Sequence, residues 1–281
     1  MADPFDFEQP DRYAVMGNPV AHSKSPAIHQ QFARQFRHRI EYLAIQVDPG
    51  GFRQAVEQFR AAGGRGLNVT LPFKLDAFRL TDHLSERARF AGAVNTLKFE
   101  ADGRIFGDNT DGIGLVHDIE LNLGVPIKGK QVFVLGAGGA VRGVLGPVLK
   151  HNPARVVIAN RTVSKARDIA AAFAGQGSIE VHTFDELRGK HFDIVINGTS
   201  AGLKGEVPPL PATLLARGAL AYDMLYGDQP TPFLDWAALH GAAQATDGLG
   251  MLVEQAAESY LVWRGVRPET KSVIAALRKG G

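Results

Sequence analysis

Short apolar runs alternate with longer stretches in which apolar residues recur every three or four positions, and this alternation organises the whole chain. The first run, Tyr13–Met16, stops at Gly17-Asn18-Pro19 and reads as a strand entering a loop. A polar stretch, His22-Ser23-Lys24-Ser25, leads to Pro26 and a helical pattern over Ala27–Phe36. Ser25 is placed to cap that helix and Pro26 suits its first turn. A strand at Ile40–Val47, a helix at Gly51–Ala62, a strand at Gly66–Thr70, a helix at Ala77–Phe90 and apolar segments around Ala93–Phe99 follow. Strands that take turns with helices indicate an α/β layer structure with a largely parallel sheet.

The second half repeats the rhythm more sharply. Gln131–Leu135 is a continuous apolar run of the buried-strand kind, and Gly136-Ala137-Gly138-Gly139-Ala140 follows at once. A helix to about Lys150, a strand at Arg155–Ala159 and a helix at Ser164–Phe173 come next. Further strands fit Ile179–His182, Phe192–Ile196, Leu220–Asp223 and Ala242–Ala245. This is the βαβ pattern of a dinucleotide-binding domain. Helices at about Leu252–Trp263 and Pro268–Arg278 close the chain. The division expected is a first domain over residues 1–110, a nucleotide domain over 111–247, and terminal helices over 248–281 that pack back on the first domain.

Composition narrows the function classes. The 281 residues are 45% hydrophobic and carry a net charge of +2, so no electrostatic footprint for nucleic acid stands out. The absence of cysteine removes disulfides, thiolate metal sites and a cysteine nucleophile. The acidic start, MADPFDFEQPDRY, has no apolar core of a signal peptide. No run of about 18 apolar residues suggests a membrane span. A cytoplasmic protein without membrane or nucleic-acid partners is expected, with the oligomeric state open between monomer and homodimer. The nine histidines show neither HxH nor HExxH spacing, so no metal is expected.

The glycine loop is where chemistry first becomes specific. Glycines between a strand and a helix permit a tight turn and let a pyrophosphate approach the helix N-terminus. The end of the next strand selects the dinucleotide. An NAD site usually places an acid there for the ribose hydroxyls. Here the strand ends in Asn160-Arg161-Thr162, with Lys165 just after, and a guanidinium suits a 2′-phosphate. The cofactor expected is therefore NADP.

In the first domain, Ser23 and Ser25 put two hydroxyls at a helix N-terminus, a setting that favours an anion such as a carboxylate. Asn68-Val69-Thr70-Leu71-Pro72-Phe73-Lys74 ends a strand with polar groups and one lysine, and Gly107-Asp108-Asn109-Thr110-Asp111-Gly112 offers a carboxylate. An amine with a carboxylate suits ketone–alcohol chemistry, because a proton must move at oxygen as a hydride moves at carbon. Spacing alone does not bring Lys74 and Asp111 together.

Taken in order, the runs GNPVAHSKSP, NVTLPFK, AGAVNT, GDNTDG, GAGGA, NRT and GMLVEQA resemble those of the shikimate dehydrogenases, from about residue 13 to the terminal helices. The resemblance implies two α/β domains: an N-terminal substrate-binding domain and a Rossmann-like NADP-binding domain, with the active site between them and closure about hinges near Asp111 and Gly248. It implies that Ser23 and Ser25 hold the substrate carboxylate, that Thr70, Asn95, Asp111 and Gln255 meet ring hydroxyls, and that Lys74 is the acid/base with Asp111 its companion. Gly136, Ala137, Gly138, Gly139, Ala140, Asn160, Arg161, Thr162 and Lys165 then match the cofactor segments. Met224, Tyr226 and Gly248 match positions lining the space beside cofactor and substrate, Tyr226 on the substrate side. The implied activity is reversible reduction of 3-dehydroshikimate to shikimate in aromatic amino-acid synthesis. Two alternatives stay open: a quinate/shikimate dehydrogenase of broader substrate and cofactor range, and a non-catalytic NADP-binding sensor.

Overall fold

The computed structural model describes residues 9–279, so the first eight residues of the acidic start lie outside it. The chain divides into two compact units. One comprises the described residues up to Ala88 with Ala93–Asn109 and Ala256–Val273; the other comprises Arg89–Gly92, Thr110–Gln255 and the described residues from Ile274.

The first unit is built from β1 (Asp11–Gly17), α1 (Ser25–Phe36), β2 (Ile40–Gln46), α2 (Phe52–Ala61), β3 (Gly64–Val69), α3 (Lys74–Leu80) and β4 (His83–Leu84). After α4 (Glu86–Ala91), which bridges the sequence division, come β5 (Thr96–Phe99) and β6 (Ile105–Asp108). The strand order is β2-β1-β3-β5-β6-β4. β1 pairs in parallel with β2 and β3, whereas β5 runs antiparallel to both β3 and β6. The sheet is thus mixed rather than largely parallel. The reason is the short link between β5 and β6, closed by Glu100 N–H to Arg104 O at 3.0 Å, which permits a hairpin and no crossover.

The helix expected over Ala77–Phe90 is broken in two. Thr81 turns extended, its hydroxyl donates to Phe78 O at 2.9 Å, and Asp82 N–H pairs with Ile105 O at 2.9 Å. His83 and Leu84 then pair with β6, so the sheet edge wins over the helical periodicity.

One face of this sheet packs Met16, Val69, Leu67 and Leu97 against Phe52 and Phe73, whose rings stack at 5.1 Å. The other face carries Tyr13, Val15 and Tyr42 against Trp263, on the last helical stretch of α9 (Leu249–Arg264). Trp263 Nε1 donates to Leu97 O at 2.9 Å, and only a glycine at position 66 leaves room for the indole.

The second unit holds α5 (Asp111–His117), which runs into a π turn at Asp118–Asn122, then β7 (Gln131–Leu135), α6 (Gly139–Lys150), β8 (Arg155–Ala159), α7 (Val163–Ala172) and β9 (Ile179–His182). β10 (Phe192–Asn197), β11 (Leu215–Asp223), α8 (Pro232–Leu239) and β12 (Gln244–Thr246) complete its sheet, and α10 (Lys271–Lys279) ends the described chain. The order β12-β11-β10-β7-β8-β9 is parallel throughout. Valines, isoleucines and leucines fill both faces, as a sheet covered by helices on each side requires. Strand order reverses between β7 and β10, and such a reversal opens a crevice at the carboxyl ends of the two strands. Among the described residues no helix is long and apolar enough to cross a membrane.

Candidate functional site

In the first unit the expected residues lie past the carboxyl ends of β1 and β3 and at the start of β5. The loop after β1 and the loop after β3 are tied by Asn18 N–H to Leu71 O at 2.9 Å and Thr70 N–H to Met16 O at 2.9 Å. A side chain on Gly17 would collide with the Thr70 methyl, so glycine there lets Thr70 close on the β1 loop. Lys74 opens α3, half-buried, and its carbonyl accepts from Val94 N–H at 3.0 Å. Asn95, 3% exposed, is bound through its carbonyl to Val69 N–H at 2.8 Å and through its N–H to Asp108 O at 3.0 Å. Thr70, Lys74 and Asn95 are therefore held together by backbone bonds.

Ser25 does not cap α1. It is the first helical residue, and Lys24 takes the cap position with helical angles. The serine two residues earlier does the work: Ser23 Oγ accepts from Ser25 N–H at 3.3 Å. Because Ser23 Oγ is the acceptor in that bond, its own hydroxyl hydrogen takes no part in it.

Behind these residues lies a buried polar seam that the sequence did not reveal. His29 is fully buried, its ring stacked 4.3 Å from Tyr42. Its Nε2 sits 3.1 Å from Asn68 Oδ1, which also accepts from the Tyr42 hydroxyl at 2.7 Å. Burial pulls the His29 pKa down to about 3, so the imidazole is neutral at physiological pH. Asn68 Nδ2 faces Ser259 Oγ at 2.9 Å, Thr96 Oγ1 at 3.3 Å and Asn95 O at 3.3 Å. The strand leading out is fixed as firmly: Arg87 grips Asp108 with two bonds of 2.8 and 2.6 Å and Asn109 N–H donates to Asp108 Oδ1 at 2.7 Å. The sequence signal for all this was a polar residue, Asn68, set between the apolar Leu67 and Val69 of β3.

In the second unit the glycine loop sits at the reversal of strand order. Gly136 has φ of +112°, and a Cβ there would press on the backbone of Gly198 at the end of β10. Gly138 and Gly139 are different. Both are exposed, and a Cβ on either would meet no protein atom within 4 Å. Their missing side chains serve no internal packing; they leave open a path to the N-terminus of α6, which no side chain caps. That space fits a pyrophosphate. Ala137 is half-buried and Ala140 exposed in the same loop.

At the end of β8, Asn160 Nδ2 donates to Thr162 O at 2.8 Å and fixes the turn into α7, with Thr162 as its cap residue. Arg161 and Lys165 stand exposed around that turn. Met224, just past β11, and Gly248 are neighbours, since a Cβ on Gly248 would collide with the Met224 carbonyl. Tyr226, two residues on, is 39% exposed.

Asp111, 8% exposed, is the first residue of α5. One turn later, a side chain on Gly114 would collide with Gln255, so α5 and α9 meet closely. Gln255 is oriented at both ends of its amide: Thr110 Oγ1 donates to Oε1 at 3.3 Å and Nε2 donates to Leu252 O at 2.9 Å. The start of α9 rests on Asp118, which accepts from the Tyr222 hydroxyl at 2.6 Å while that hydroxyl accepts from Met251 N–H at 3.2 Å. Burial raises the Asp118 pKa.

Three family descriptions match this chain. Residues 15–97 match a shikimate dehydrogenase substrate binding domain, residues 120–204 a shikimate / quinate 5-dehydrogenase, and residues 248–278 a shikimate 5'-dehydrogenase C-terminal domain. A relative from Alkalilimnicola ehrlichii, named shikimate dehydrogenase (NADP(+)), is 61% identical over 95% of this chain and 98% of its own. An Ael1 enzyme from Pseudomonas putida has a crystal structure at TM-score 0.90 and 50% identity, covering 95% of this chain and 98% of its own. The shikimate 5-dehydrogenase of Thermus thermophilus, crystallised with NADP(H) and shikimate, superposes at TM-score 0.86 and 33% identity over 96% of this chain and all of its own. The chain belongs to the shikimate dehydrogenase family.

Proposed function

We propose that this protein catalyses the reversible NADPH-dependent reduction of 3-dehydroshikimate to shikimate. The observation that carries this reading is the backbone-tied group Thr70, Lys74 and Asn95 beside the serine pair, in a chain 61% identical to a protein named for this activity with NADP(+). When bound, the dinucleotide supplies the hydride that reduces the ketone carbon. Lys74, as an ammonium, delivers a proton to the ketone oxygen, so that the C=O π bond breaks as C–H and O–H bonds form; in the oxidative direction its neutral amine takes that proton back. Ser23 and Ser25 hold the carboxylate through hydroxyl donors, and Thr70, Asn95, Asp111, Tyr226 and Gln255 meet the ring oxygens. Asp111 shares the proton work with Lys74.

Gly136, Ala137, Gly138, Gly139 and Ala140 would cradle the pyrophosphate, Asn160, Arg161, Thr162 and Lys165 would hold the 2′-phosphate end, and Met224 and Gly248 would line the cofactor side of the site. On the same proposal, residues 1–110 with 248–281 form the substrate domain and 111–247 the cofactor domain. The protein works in the cytoplasm as a monomer or homodimer and serves aromatic amino-acid synthesis. Replacing Lys74 by Ala tests the assignment: turnover falls by about 10²–10⁴ while the dissociation constant for shikimate, measured by calorimetry, changes little. Near-normal turnover would remove Lys74 from the chemistry.

A further inference from the structure

Asn95 carries an amide that can present either its oxygen or its amino group to a ligand, and the structure contains a device that settles which. Its Oδ1 accepts from Thr96 Oγ1 at 2.9 Å. Thr96 is fully buried, with its hydroxyl 2.7 Å from Ser259 Oγ on α9. Asn68 Nδ2 donates to Ser259 Oγ at 2.9 Å and to Thr96 Oγ1 at 3.3 Å. The direction of the Asn68 amide is itself unambiguous. Its nitrogen faces the Asn95 carbonyl, which can only accept, and its oxygen receives the Tyr42 hydroxyl at 2.7 Å. Thr96 Oγ1 accepts from Asn68 and donates to Asn95 Oδ1, and with its one hydrogen used there the contact with Ser259 has Ser259 as the donor.

We propose that the Thr96 hydroxyl, held by Ser259 and Asn68, is a positioning group that ties the Asn95 amide oxygen inward and turns its Nδ2 donors toward the substrate. The consequence is chemical. A ketone oxygen can only accept, whereas a hydroxyl can accept or donate. An Asn95 that presents donors holds the same kind of oxygen in the ketone and in the alcohol, so it binds both sides of the reaction without reorienting. This rests on the reading of Asn95 as a substrate ligand.

The test is a double-mutant cycle in steady-state kinetics with shikimate and NADP, using Thr96→Val, Asn95→Ala and the double variant, with Thr96→Ser as the conservative control. Thr96→Val is expected to raise the KM for shikimate about 3- to 10-fold, the loss of one neutral hydrogen bond, with kcat and the KM for NADP little changed. Thr96→Ser restores the wild-type KM. In the Asn95→Ala background Thr96→Val adds nothing, because the amide it orients is gone. Should Thr96→Val not fold, Ser259→Ala is read in the same cycle, with a rise of about 2-fold expected. An equal penalty in both backgrounds, or a serine that fails to restore the KM, overturns the proposal. An Asn95→Ala variant with unchanged KM for shikimate overturns the ligand reading itself and the proposal with it, an outcome distinct from additivity.

Discussion

The two sheets are of equal strand number but opposite character. The second is parallel and apolar on both faces, and the elements proposed to recognise its ligand are loops at the strand ends: a glycine turn and an exposed arginine at the next strand terminus. The first is mixed and carries polar side chains through its interior: His29, Asn68, Asn95, Thr96 and Ser259, each under 9% exposed. A dinucleotide is long and charged, so backbone N–H groups and surface cations suffice to hold it. A small polyhydroxylated ring offers only a few atoms, each needing a donor or acceptor of fixed direction, and fixing direction takes a second layer of buried hydrogen bonds. On the proposed site assignment, stability and recognition are coupled in the first unit and separate in the second.

Four substitutions sharpen or break that contrast, in falling order of effect. Asn68→Leu removes a group with five hydrogen-bonded neighbours at or under 3.3 Å and strands the His29 and Tyr42 donors, at a cost of about 3 kcal/mol or more by denaturant titration. The KM for shikimate rises with it. Loss of stability without any change in KM would uncouple the seam from the site. Arg161→Ser, on the surface of the second unit, raises the KM for NADP about 10- to 100-fold and leaves both the KM for NAD and the melting temperature unchanged. A fall in melting temperature would show that this arginine is structural.

His29 gives a pH signature. Its folded pKa of about 3 lies below the ordinary 6.5, so the unfolded chain binds the proton more readily. The stability that His29 contributes is complete above pH 6.5 and declines as the pH falls toward 3, by about 1.4 kcal/mol per pH unit. His29→Phe should flatten the unfolding free energy by that slope over the same interval; parallel curves for the two proteins would place the imidazole outside the linkage. The smallest effect belongs to Arg155, paired with Glu180 at 2.5 Å on exposed parts of β8 and β9. Arg155→Ala costs at most about 1 kcal/mol, lost in high salt; a larger, salt-independent cost would mean that the rim of the second sheet is not a solvated surface.

The contrast also explains what the sequence disclosed. Gln131–Leu135, Arg155–Ala159 and the loop Gly136–Ala140 were legible because strand, turn and helix follow one another along the chain, although the packing of Gly136 against Gly198 is not local and was not visible there. Thr70, Lys74 and Asn95 could be named from their motifs, but their mutual positions come from bonds between separate segments. The break at Thr81 was hidden because pairing with β6 overrides a sound helical pattern. The seam was least legible: Asn68 and Ser259 meet although 191 positions separate them, and nothing local marks a serine on an apolar helix as a partner. Ser25 looked like a cap because serine before proline usually is one, yet here the chain enters the helix one residue early and Ser23 takes the N–H.

The most direct measurement is the appearance of reduced nicotinamide absorbance with purified protein, crossing shikimate and quinate with NADP and NAD. Rapid reduction with shikimate and NADP, and far slower rates in the other three combinations, is the result the account requires. No reduction in any combination, with NADP binding still measurable by calorimetry, would contradict it.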